Sequence, residues 1–124
     1  MVKIQYASDL HLEFIENTLF LENHPIQPVA DILVLAGDIG YLGDEGFLKH
    51  PFWDWASENF KQVIVIPGNH EFYKGYDLGK LYDGWFLDIR PNVKCYYNVV
   101  IHLSEDTDLI VSTLWGHIEP KDAF

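Results

Sequence analysis

Five polar residues stand just past three apolar runs. Asp9 and His11 follow "VKIQYA" (2–7) within "SDLHLEF". Asp38 follows "ILVLA" (32–36) within "GDIG", and Asn69 and His70 follow "VIVI" (63–66) within "PGNHEFY". A turn after a strand calls for Pro67 and Gly68, but not for an amide beside an imidazole. Carboxylate, imidazole and amide oxygen suit Mn²⁺, Fe or Zn²⁺, and the set contains no soft thiolate. Asp9 and His11, two apart in an extended segment, would project to one side. A carboxylate such as Asp38 can bridge two cations with its two oxygens, and Asn69 adds a neutral oxygen. Each residue alone has a plainer reading: Asp9 and Asp38 as turn residues, Asn69 as a left-handed turn residue, His70 as a ring packed under Tyr73. The order and setting of the five favour chemistry.

The apolar runs must be what positions them. Continuous runs such as 32–36 and 63–66 fit interior strands of a sheet covered on both faces. A helix is expected within 45–60, where Phe52, Trp55, Ala56 and Phe60 would face a core and Pro51 lies in the first turn. A second helix is expected within 77–88, from the spacing of Leu78, Leu81, Tyr82 and Trp85. Strands follow at 94–97, 99–103 and 108–113, the last two joined as a hairpin through "SEDTD". The predicted fold is α/β, with a largely parallel sheet that continues into antiparallel strands. Sites in such sheets form at the carboxyl ends of strands, where the five residues fall.

The 124 residues allow one domain, 1–124. The formal net charge of −11 disfavours a Lys/Arg footprint for nucleic acid and attraction to anionic membranes. An acidic chain still binds phosphate where cations reverse the local field. No stretch approaches the roughly 18 apolar residues of a membrane span, and "MVKIQYASDLH" is no signal peptide. The lone Cys95 excludes an internal disulfide. These features predict a soluble, cytoplasmic protein.

Taken in order, "SDLHLEF", "GDIG" and "GNHEFY" resemble the D-x-H, G-D and G-N-H-[DE] motifs of the calcineurin-like metallophosphoesterases. His11 to Asp38 spans 27 positions and Asp38 to Asn69 spans 31, room for strand–helix–strand units. The resemblance implies a β-sandwich flanked by helices. It implies two divalent metal ions, Mn favoured among Mn, Fe, Zn and Mg, and a phosphate-ester substrate cleaved by a water activated between them. Asp9 and His11 would ligate the first ion, Asp38 both, and Asn69 the second. His70 would protonate the leaving group or stabilise charge on the phosphoryl group. Glu71 would orient a ligand or simply be solvated, and Tyr41 would contact substrate.

The family's second half brings a further histidine and a G-H-x-H pair. Here "GHIEP" offers Gly116 and His117, with Glu119 where the second histidine would stand. His117 would line the site or serve structure. The resemblance thus covers about the N-terminal half of a typical member, so the expected fold is an incomplete version. A weakened second metal site is expected, with self-association through an exposed sheet edge. His102 reads as structural, His24 and His50 as loop or helix-start residues, and Glu13 as a flanking residue without a role. Two alternatives remain: a non-catalytic metal-binding or assembly module derived from this fold, and a mononuclear metal protein unrelated to phosphate.

Overall fold

The structure, a computed structural model, describes residues 1–73, 76 and 78–113. Strand β1 (Ile4–Ala7), helix α1 (Ile15–Asn23), strand β2 (Ile32–Ala36), helix α2 (Pro51–Asn59) and strand β3 (Gln62–Ile66) come first. Strands β4 (Trp85–Arg90), β5 (Val93–Tyr97), β6 (Val99–Ser104) and β7 (Thr107–Val111) follow. Five strands form one sheet in the order β1-β2-β3-β5-β4. All neighbours are parallel except β4 and β5, which run antiparallel. Strands β6 and β7 form a separate antiparallel pair, the expected hairpin.

The period of two along a strand explains why β2 and β3 are apolar throughout. Leu33, Leu35, Val63 and Val65 turn to one face, into a core with Phe52, Trp53, Ala56 and Phe60 from α2 and its end. Val34 and Ile64 turn to the other face and pack with Val111 and with Val99, Ile101 and Leu109 of the hairpin. The sheet is thus covered by helix on one side and by a second sheet on the other, which is the predicted mixed α/β arrangement. Along β1 the cover thins: Ile4 is 38% exposed and Tyr6 80%. No described helix is long and apolar enough to cross a membrane.

Helix α2 begins as expected, with Pro51 in its first turn, and His50 is its N-cap. The imidazole Nδ1 accepts from Phe52 N–H at 3.1 Å. Trp53 is fully buried, and its indole N–H donates to the Phe47 carbonyl at 2.7 Å.

Among the described residues of 77–88 the expected helix does not form. Leu78–Lys80 make one 3₁₀ turn, and 85–90 become strand β4. Gly84 sits at φ +84, which ends any helical run and turns the chain into the strand. From Trp85 the period is two: Trp85, Leu87 and Ile89 turn inward, whereas Phe86 is 52% exposed. Tyr82, one of the four residues at helical spacing, is 67% exposed. Helix α1 is the converse case, an element without advance notice. It has no side-chain cap and no buried residue, so neither capping nor periodicity announces it.

Candidate metal centre

Strands β1, β2 and β3 lie side by side and parallel, so the loops at their carboxyl ends leave one edge together. The loop after β1 runs along the loop after β2. Asp9 N–H donates to the Gly37 carbonyl at 2.9 Å, His11 N–H to the Asp38 carbonyl at 3.0 Å, and Leu12 N–H to the Ile39 carbonyl at 2.7 Å. The backbone is left-handed at Asp9 (φ 58), His11 (φ 48) and Asp38 (φ 56). The expected extended D-x-H segment is therefore incorrect: these side chains meet because the loop curls, not because a strand alternates. Each such residue costs on the order of 1–3 kcal/mol, and such strain concentrates at functional sites. Asn69, by contrast, is right-handed (φ −73, ψ −33) and begins the 3₁₀ turn His70–Phe72, which removes its reading as a left-handed turn residue.

Glu71 ties the second and third loops together. It is fully buried, which rules out the solvated alternative. Its Oε1 accepts from Gly68 N–H at 2.6 Å and Asp38 N–H at 2.8 Å. Its Oε2 accepts from Ile39 N–H at 2.6 Å and Gly40 N–H at 2.9 Å. Burial pushes this carboxyl above the ordinary carboxylate range, and the four N–H donors pull it back. The crossing is close. A Cβ on Gly68 would stand 2.5 Å from Asp38 Oδ1, and one on Gly37 (φ +94) 3.0 Å from Gly68 Cα.

The five predicted residues come together on this base. One ligand atom from each of Asp9, His11 and Asp38 lies within 4.8 Å of the others. His70 N–H donates to Asp38 Oδ1 at 2.9 Å. Asn69 has two amide orientations. With Nδ2 on Tyr73 Oη at 3.0 Å, Oδ1 faces both Asp38 oxygens at 3.0 and 3.1 Å. In the other, Nδ2 donates to those oxygens and Oδ1 accepts from Tyr73. The first turns three acceptor oxygens on one another, which is favourable only with a cation among them; the second suits the metal-free protein. The donor set therefore fits a hard or borderline divalent ion.

The His70 ring lies 4.3 Å from that of His11, centroid to centroid, and 4.5 Å from that of Tyr73. Packing against Tyr73, the plainer reading of His70, thus coexists with a place in the cluster. Tyr41 stacks on the His70 ring at 6.1 Å and 18°. His102 is elsewhere, exposed on the hairpin and paired with Asp108. His117 lies outside the described residues. Two neighbours were not singled out from sequence: Tyr73, on the Asn69 amide, and Glu13, between the two imidazoles. The only advance signal for Glu13 is its place two residues beyond His11.

A strand-edge cluster of this kind, three motifs on three parallel strands, defines a class. The chain belongs to the calcineurin-like phosphoesterase family, whose model matches residues 2–119. It is also similar to an uncharacterized protein of Acanthamoeba polyphaga mimivirus, 33% identical over 135 aligned residues. That alignment takes in 93% of this chain and 45% of the viral protein, so the chain spans less than half of that relative's length. No solved structure matches the chain.

Proposed function

We propose that this chain carries the metal site of a hydrolase that cleaves a phosphomonoester or phosphodiester, with Mn²⁺ the favoured ion. The observation behind it is the convergence of Asp9, His11 and Asp38 within 4.8 Å, with the Asn69 amide against Asp38. Two divalent cations, when bound, would lower the pKa of a water to about 7 and would hold the phosphate oxygens. Asp38 would serve both ions, Asp9 and His11 the first, and Asn69 the second. Among the described residues the second ion draws on Asp38 and Asn69, so it should bind more weakly. His70 would give a proton to the departing oxygen, a role typically worth about 10²–10⁴-fold. Tyr41, stacked on it, would line the substrate's approach. The net charge of −11 fits this order of events, since an anionic ester approaches only after cations reverse the local field.

With only Asp38 and Asn69 for the second ion among the described residues, one other reading stands, a metal binder of this fold that does not turn over. Hydrolysis of p-nitrophenyl phosphate and bis(p-nitrophenyl) phosphate with added Mn²⁺ separates the two. The expected result is Mn²⁺-dependent turnover, abolished by Asp38→Ala and lowered about 10²–10⁴-fold by His70→Asn. A folded protein that binds Mn²⁺ but cleaves neither ester supports the second reading. Turnover that survives Asp38→Ala contradicts the first.

A further inference from the structure

Glu13 has no part in the roles above, yet its environment is specific. Its side chain is 3% exposed, and its ion-pair contacts are two imidazoles. One oxygen makes both: Oε1 lies 3.1 Å from His11 Nδ1 and 3.0 Å from His70 Nδ1. The other, Oε2, is buried without a hydrogen-bond partner among the described residues. Leaving such an atom unpaired costs about 1–3 kcal/mol, so its retention calls for a reason.

The reason lies in what a carboxylate can do to imidazoles. An ionised carboxylate only accepts hydrogen bonds. An oxygen shared by two ring nitrogens therefore requires an N–H on each. A neutral imidazole carries one N–H, so both rings present an unprotonated Nε2. For His11, Nε2 is the atom on the Asp9 side, 3.7 Å from Asp9 Oδ1. That is the nitrogen a metal-binding histidine needs free while its other N–H goes to a carboxylate.

We propose that Glu13 is a positioning residue that fixes the tautomer and orientation of both imidazoles at once. It leaves His11 Nε2 free for the first cation and His70 Nε2 as the atom that takes up a proton from solvent before giving it to the departing oxygen. This inference rests on the metal-site reading above. Glu13, His11 and His70 also have ligand atoms within 4.8 Å of one another, the spacing of a metal cluster. Contacts of 3.0–3.1 Å onto one shared oxygen are hydrogen-bond lengths, and they favour positioning.

Nitrogen-15 NMR of histidine-labelled, metal-free protein, kept above the imidazole titration range, reads the tautomers directly. His11→Asn and His70→Asn assign the two rings. Both are expected to carry the proton on Nδ1, and to keep it there when Zn²⁺ is added. Glu13→Leu fills the space but removes the acceptor that both Nδ1 atoms share. At least one ring should then move its proton to Nε2, and Mn²⁺ affinity by calorimetry should fall about 10–100-fold. A native ring protonated on Nε2, or loss of the Nδ1 proton on adding Zn²⁺, overturns the proposal. So does a folded Glu13→Leu protein with native tautomers and native Mn²⁺ affinity. If Glu13→Leu does not fold, the native tautomers decide alone. That readout needs neither metal nor turnover, so a failed hydrolysis assay leaves it standing.

Discussion

Gly68 shows how little slack the site has. A methyl group there would meet Asp38 Oδ1 at 2.5 Å and the Asp38 nitrogen at 2.8 Å, and the backbone atom cannot swing aside. Gly68→Ala should displace Asp38, cost about 1–3 kcal/mol of stability and weaken Mn²⁺ binding. Chemical denaturation and calorimetry measure the two effects, and native values of both would contradict the packing described. At this scale the sequence was most legible where type and motif agree. Asp9, His11, Asp38, Asn69 and His70 were all singled out, and all lie together. What stayed hidden was partnership. The donors to Glu71 include backbone N–H groups of Asp38, Ile39 and Gly40, more than 30 positions away in the chain. No side-chain pattern announces that. The curl at Asp9 and His11 was equally hidden, because it comes from hydrogen bonds to a different loop.

At the scale of elements, β2 and β3 were readable because burial on both faces leaves a continuous apolar run. The segment 77–88 misled because four apolar residues at helical spacing also fit a turn followed by a strand, and Gly84 decided between them. Helix α2 carries a testable consequence of its cap. His50 Nδ1 accepts from Phe52 N–H, and Nε2 donates to Thr18 Oγ1 at 3.0 Å, whose own hydroxyl donates to the Leu12 carbonyl. Only the neutral ring makes both bonds. Burial lowers the His50 pKa, against the opposing charge of Glu22. A histidine with a lowered folded pKa takes up its proton more readily when unfolded. The cap's contribution is therefore present above about pH 6.5, the unfolded value. It is lost as pH falls from there toward the folded value. His50→Asn, which can still cap, should flatten that acid-side loss at a scale of about 0.5–2 kcal/mol. Thermal melts across this window read the difference, and identical slopes for both proteins would count against the cap.

For the whole molecule, the sheet is well covered at β2, β3 and β5, whereas Ile4 and Tyr6 on the β1 edge stay open. Self-association there is the expected outcome, seen as a concentration-dependent mass above one chain in light scattering. A mass of one chain at every concentration would contradict it. The acidic charge and the three convergent loops point the same way, to a scaffold completed by cations. In the proposed reading both ions would depend on Asp38, so its removal is the most direct test. Metal-free protein titrated with Mn²⁺ in a calorimeter should show two binding events, the second weaker. Both should vanish in an Asp38→Ala protein that still melts cooperatively. Native-like Mn²⁺ binding by that variant, or none by the unaltered chain, would contradict the metal centre described here.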